Sequence, residues 1–271
     1  MHRDLGALAD PVLLFGGPYS NVQATEALFA AARDHGIGPD HQICTGDVVA
    51  YCAAPRETVQ LVRDAGCTVV AGNCERQLAV GADTCGCGFE EGSACDLLSV
   101  GWYPFANAEV QQHDRRWMAK CPDIVSFHHH GARYAVIHGG ISDVARFLWP
   151  TSETEAFLAE WAMIEALIGK VDHVIAGHCG LPFLRETPRG RWINAGVIGM
   201  PPHDGNEATR YAILERGKVS FHNLSYDVDA AIDAMHRNGL TQGYHHALRS
   251  GYWPSEDVLP EALRSSSLAR G

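Results

Sequence analysis

The chain has 271 residues, 46% hydrophobic and 20% charged, which is enough apolar material for a large core and too much for a disordered protein. Its formal charge of −11, from 21 Lys and Arg against 32 Asp and Glu, argues against non-specific binding to nucleic acid, because an acidic surface repels phosphate backbones. No run of 18 apolar residues occurs, so no membrane span is expected, and the N-terminus lacks the basic start and long apolar core of a secretory leader, which makes the cytoplasm the default location.

The apolar run PVLLF (11–15) ends in Gly-Gly-Pro and predicts a buried strand stopping at a tight turn. Asn21 can cap a helix over 22–35, with Ala24, Ala27, Leu28 and Ala31 on one face. HQICTGD reads as a second strand, Pro55 opens a second helix with Val59, Leu61 and Val62 turned inward, and CTVVAG is a third strand. Alternation of strand and helix predicts a parallel sheet with right-handed crossovers.

Residues 81–108, rich in Gly, Cys and aromatics, have no clear period and read as an irregular, lid-like insertion. A helix over 109–120 follows, then IVSFHHH and RYAVIHGG form a hairpin around Gly131. Helices are expected near 142–149 and 153–169, and DHVIAGH is another strand. FLRET pairs with RWINAG, and TRYAILERG with KVSFHNLSY. The tail, 227–271, is helical and then irregular. No linker separates the halves, so 1–271 is expected to be one domain with two sheets.

Four polar residues each follow an apolar strand and adjoin a glycine: Asp47 in TGDVV, Asn73 in AGNCE, His138 in VIHGG and His178 in AGHCG. Ligands of α/β folds bind beyond the carboxyl ends of strands, and glycine permits both the sharp turn and the close approach. One carboxylate, one amide oxygen and two imidazoles suit Mn, Fe or Zn. Any one such residue alone reads as a capped turn; the weight lies in four sharing one context.

Other residues carry less. The nine cysteines read as mostly reduced thiols, and Cys85, Cys87 and Cys95, whose spacing matches no common zinc pattern, read first as buried or loop thiols, with a zinc site or a redox pair as alternatives. Of the run His128, His129 and His130, at most His128 and His130 share a strand face, and solvent exposure is expected for the run. Arg115 and Arg116 can bind phosphate but read first as surface ion pairs, and His203, after Pro-Pro, is within chain reach of the pocket.

The blocks GDVVAYCAAP, VVAGNCE, AVIHGG and AGHCGLPF, with WINAGVIGMPPHDGNEATRYAIL after them, resemble in order the motifs of calcineurin-like metallophosphoesterases, in particular the small bacterial phosphodiesterase-type branch. The resemblance spans about residues 11–226. It implies an α/β (α+β type) fold of two packed mixed β-sheets flanked by helices, a four-layer αββα sandwich. It also implies a hydrolase with two metals bridged by an aspartate. Asp47 matches that aspartate, and Asn73, His138 and His178 match the other ligands of the second metal. Cys74 stands where many members have a histidine near the leaving group, with Glu75 as the acidic neighbour that orients it.

The first metal fares differently. FGGPYSN has Gly17 where the family has aspartate and Tyr19 where it has histidine, and Gly180 replaces the second histidine of the last block. All three are ligands of one metal. The resemblance therefore implies a divalent transition metal (Mn, Fe or Zn) held at Asp47, Asn73, His138 and His178, one ion rather than two, unless Cys85, Cys87 or Cys179 supplies the missing ligands. Tyr19 is a candidate to place its hydroxyl where a metal once held a phosphate oxygen, against plain loop packing. The expected function is metal-activated hydrolysis of a small phosphodiester or phosphomonoester, with reduced turnover. The alternatives are a pseudoenzyme that keeps one metal for ligand sensing, and a redox protein using its cysteines. The expected partner is a small phosphorylated substrate, with a homo-oligomer left open.

Overall fold

The computed structural model describes residues 1–9, 11–87 and 94–265. In chain order its strands are β1 (His2–Ala7), β2 (Val12–Phe15), β3 (Gln42–Cys44), β4 (Thr68–Val69), β5 (Ile124–His129), β6 (Ala132–Val136), β7 (His173–Ala176), β8 (Pro182–Thr187), β9 (Gly190–Ala195), β10 (Thr209–Glu215) and β11 (Lys218–Leu224). The helices are α1 (Val22–Asp34), α2 (Pro55–Ala65), α3 (Asn73–Val80), α4 (Ala94–Glu109), α5 (Gln112–Met118), α6 (Thr154–Ile168), α7 (Val228–Arg237) and α8 (Tyr244–Ser250).

The strands form two mixed sheets, one of six in the order β1-β5-β6-β7-β9-β8 and one of five in the order β11-β10-β2-β3-β4. Successive side chains of a strand point to opposite faces, and β2 uses both. Val12 and Leu14 enter a core shared with Val125, Phe127, Val136 and Ile193 of the six-stranded sheet. Leu13 and Phe15 face the opposite way, toward Leu28, Val59 and Val62 of α1 and α2. On the far side of the larger sheet, Phe157, Trp161 and Ile164 of α6 pack on Trp192 and Val174. Three apolar interfaces between four layers make the αββα sandwich that the motifs imply. Burial of Trp161 is complete, and truncating it to Ala is expected to cost about 3–5 kcal/mol.

Asn21 caps α1, its Oδ1 accepting the Ala24 N–H at 3.0 Å, as the sequence predicts. Three elements differ from expectation. Residues 94–109 form the helix α4, not an irregular insertion, although 88–93 lie outside the described residues. This helix contains Pro104 and buries one face, Trp102, Tyr103 and Ala106, but Val100, Pro104 and Ala108 on its exposed face are apolar too, so it shows no amphipathic period. Residues 142–149 form turns, because the carboxylate of Glu160 accepts the N–H groups of Ile141 and Ser142 and the Asp143 side chain accepts that of Ala145 at 2.9 Å. The N-terminal strand β1 has no hydrophobic signature, yet it pairs in parallel with β5. Beside it His129 is buried, Nδ1 at 3.3 Å from the Leu8 carbonyl oxygen, while His128 and His130 are exposed. No described helix is long and apolar enough to cross a membrane.

Candidate metal centre

The four predicted residues come together, two from each sheet. Asp47 follows β3, and Asn73 opens α3 after β4. His138 and His178 follow β6 and β7 of the larger sheet. The site thus lies where the carboxyl ends of parallel strands from both sheets converge.

Hydrogen bonds fix how each donor atom points. His138 Nδ1 lies 2.6 Å from the Thr45 carbonyl oxygen, which can only accept, so Nδ1 carries the proton and donates. Nε2 therefore faces the site. It is 2.9 Å from His178 Nδ1, 3.1 Å from Asn73 Oδ1 and 3.3 Å from Asp47 Oδ2. The Asn73 amide is oriented in the same way: Nδ2 donates to the Cys85 carbonyl at 3.0 Å, which turns Oδ1 inward. The other ring nitrogen of His178 is buried without a hydrogen-bond partner among the described residues.

Four lone-pair donors crowded about one point make a candidate cation site. With metal–ligand bonds of about 2.1 Å, adjacent donors stand about 3.0 Å apart in an octahedron and about 3.4 Å in a tetrahedron. The separations here are close to that spacing, so the residues fit a divalent ion. Asp47, His138 and His178 are all buried. The electrostatics agree. Burial works to raise the Asp47 pKa, but the adjacent His138 and His178 rings outweigh it and hold the carboxyl below its ordinary value. Burial works to lower His138, and the Asp47 carboxylate and the Thr45 carbonyl overcome it. His178 is pushed down to about 3, first by burial and then by the His138 ring, so it is a neutral ligand at physiological pH.

The ligand loop is held under backbone strain. Asp47 has φ +57°, a region non-glycine residues rarely adopt, at a cost of about 1–3 kcal/mol. At Gly46 (φ +102°) a Cβ would stand 2.9 Å from His138 Nδ1 and 2.7 Å from the Gly72 nitrogen, so only glycine fits. Glu75 clamps this loop. Its carboxylate, fully buried, accepts the N–H groups of Asp47 (2.7 Å), Val48 (2.8 Å) and Gly72 (2.8 Å). Burial and the negative Asp47 raise its pKa to about 7, while the N–H groups of Asp47 and Gly72 pull it down.

The remaining candidates separate clearly. A cavity of about 60 Å³ opens beside Asp47 and His178, and Tyr19 lines it while Cys74 and Glu75 do not. The Cys74 backbone N–H donates to Asp47 Oδ1 at 3.1 Å, and burial, then the Asp47 charge, keep its thiol protonated. Glu75 spends its hydrogen bonds on backbone, not on Cys74. His203 does not line the cavity; its Nδ1 accepts the Trp253 N–H at 2.9 Å and its Nε2 donates to Glu256 at 2.8 Å, which anchors the tail. Arg115 ties α5 to the carbonyls of Leu78 and Asn107. Cys85 and Cys87 are joined by a disulfide, not present as free loop thiols; Cys87 Sγ accepts from Asn73 Nδ2 at 3.4 Å, and the Cys95 side chain lies outside the described residues.

At the missing half, aromatic rings take the space. A Cβ on Gly17 would fall 2.6 Å from Tyr19 Cζ and 2.7 Å from a Val197 methyl. A Cβ on Gly180 would stand 3.3 Å from the Trp253 ring. The Tyr19 ring thus lies where a side chain at 17 would begin, edge-on to Tyr51 at 4.8 Å. Burial, then the nearby Asp47 charge, raise the Tyr19 pKa, so its phenol keeps its proton. Sequence reasoning missed the Thr45 and Cys85 carbonyls, which leave no side-chain signal, and the cavity walls Tyr244 and Trp253, which come from the distant tail.

Residues 18–218 match the calcineurin-like phosphoesterase superfamily domain. An uncharacterized protein of Methanocaldococcus jannaschii, MJ0912, is 21% identical over 83% of this chain and 91% of its own length. The fold is similar to that of the hypothetical protein PH1004 of Pyrococcus horikoshii OT3, with a TM-score of 0.71, 16% identity and coverage of 89% of this chain and 98% of that one. A metallophosphoesterase from Sphaerobacter thermophilus aligns with a TM-score of 0.68 and 20% identity, covering 90% of this chain and 100% of its own. The match runs from the turn after β2 into β11 and takes in all four converging residues, so this chain belongs to the calcineurin-like phosphoesterase superfamily, whose chemistry is in general metal-dependent phosphoester hydrolysis.

Proposed function

We propose that this protein is a phosphoesterase that works with one divalent transition metal, Mn, Fe or Zn, on a small phosphodiester or phosphomonoester. The convergence of Asp47 Oδ2, Asn73 Oδ1, His138 Nε2 and His178 Nδ1 carries this reading. A cation bound there supplies Lewis acidity and lowers the pKa of water. The chain supplies the rest. Thr45 holds the His138 ring in one tautomer, a role that typically accounts for a factor of 10–100 in metal affinity. Glu75 positions Asp47. Tyr19, with its proton retained, is placed to donate to a non-bridging phosphoryl oxygen. Cys74, a buried neutral thiol, shapes the α3 end instead of reacting.

One observation favours a second reading. Tyr19 fills the space of the lost ligands, which fits a pseudoenzyme that binds a phosphorylated ligand without turnover. Assays of aryl phosphomonoesters and phosphodiesters with Mn, Fe, Co or Zn separate the two. Turnover that disappears in Asp47→Ala and His138→Ala supports the enzyme. No turnover with any of the metals supports the binding protein.

A further inference from the structure

The charge inventory of the cavity bears on its ligand. Its walls are aromatic and aliphatic: Tyr19, Tyr51, Phe147, Val197, Tyr244 and Trp253 surround Asp47 and His178. No lysine or arginine lines it among the described residues, and none occurs in the sequence between Arg76 and Arg115, the stretch that contributes Cys87 and Leu98 to the wall. Neighbouring cations are already committed. Arg146, on the loop after His138, pairs with the buried Glu160 at 2.5 Å, and Arg210 pairs with Asp204 at 2.7 Å. The N-terminus of α3 carries roughly half a positive charge, but the Asp47 and Glu75 carboxylates already answer it.

Given the single-cation reading above, on which this step rests, the sum is short. A dication and the Asp47 carboxylate leave one net positive charge at the cavity, since both histidines act as neutral ligands and the Glu75 carboxylate, which does not line the cavity, is met by the backbone N–H groups of Asp47, Val48 and Gly72. A phosphodiester carries one negative charge and balances it. A phosphomonoester above its second pKa, about 6, carries nearly two. The surplus charge would sit among largely apolar walls with no cationic side chain to meet it, which is costly. A second cation would have restored the balance, and its ligand positions are Gly17, Tyr19 and Gly180.

We infer that the site selects monoanionic phosphodiesters with an apolar or aromatic ester group over dianionic phosphomonoesters and polyphosphates. The apolar walls suit the ester groups, and the metal meets the one charge.

The test is binding, so it does not depend on turnover. Phenyl phosphate and methyl phenyl phosphate differ by one methyl and one charge. Both are titrated calorimetrically into the metal-loaded wild-type protein at pH 8, with bound metal counted in the same sample. A buried methyl alone accounts for about fourfold. The expected result is methyl phenyl phosphate binding at least thirtyfold more tightly, with one cation per chain. Equal or tighter binding of phenyl phosphate, with one cation counted, overturns the charge selection and leaves the single-cation reading standing. Two cations per chain overturn both. In Ser255→Lys, which adds a positive charge to the wall, the preference should fall at least fivefold; an unchanged ratio would mean that the methyl, not the charge, sets it and would equally overturn the inference.

Discussion

The two halves of the site stand in the same pocket and have had opposite fates. Of Asp47, Asn73, His138 and His178, three have their donor atoms fixed by a backbone partner: Thr45 for His138, Cys85 for Asn73, Cys74 for Asp47. Beside Gly17 and Gly180 stand the rings of Tyr19 and Trp253, which also line the cavity. A site decaying by drift would lose ligands on both sides and leave holes. Here one side keeps its supporting contacts and the other is an aromatic wall of the cavity. That difference is what the proposed single-cation site predicts.

Four experiments sharpen or break that contrast. The largest effect belongs to His138→Ala, which removes both a ligand and the bond to Thr45. Metal affinity, measured calorimetrically, is expected to fall by well over 100-fold, whereas retention within tenfold would mean that the metal sits elsewhere. Next is Glu75→Gln, which puts an amide N–H₂ against backbone N–H groups it cannot accept with both ends. A loss of about 3 kcal/mol in urea unfolding is expected, because hydrogen bonds to charged groups contribute about 1.5–3 kcal/mol each and one or more is lost. A loss below 1 kcal/mol would remove the clamp from the account.

The third experiment uses pH. In the metal-free protein His178 sits at about 3, below its unfolded value of about 6.5. The unfolded chain therefore takes up this proton first. The stability linked to the ring is complete above about pH 6.5 and is lost as the pH falls toward 3. At pH 5 the loss is about 2 kcal/mol. His138 has the opposite sign, since its raised value makes its contribution full below about 6.5 and lost as pH rises through the folded value. The comparison that isolates His178 is wild type against His178→Asn, whose unfolding should lack the acid-side dependence. The smallest effect comes from a double-mutant cycle of Gly17→Ala with Tyr19→Ala. The first substitution drives a methyl into the Tyr19 ring, and the second removes the ring, so the two should couple by about 1–2 kcal/mol. Additivity would mean that Tyr19 does not occupy the space beside Gly17.

Much of the fold was legible because local and tertiary demands agree. The alternation of Val12 to Phe15 serves both faces of the smaller sheet, and each Gly-flanked ligand marks a strand end. Failures came where the signal is not local. The helix α4 is apolar on its exposed face as well as its buried one, through Val100, Pro104 and Ala108, so periodicity does not mark it. The turn over 142–149 depends on Glu160, which is remote in sequence. The four residues that converge could be named from the sequence, but the carbonyls that orient them and the tail residues that wall the cavity have no sequence mark. The departures from the family motif at Gly17, Tyr19 and Gly180 were legible; that the Tyr19 and Trp253 rings stand beside the two glycines was not.

The most direct measurement is the metal content of protein purified without chelator and loaded with Mn, Fe or Zn, read by elemental mass spectrometry against protein concentration. A single cation per chain, abolished in His138→Ala and unchanged in Tyr19→Phe, is the predicted result. A stoichiometry near two would show that the aromatic half still binds metal and would contradict the account.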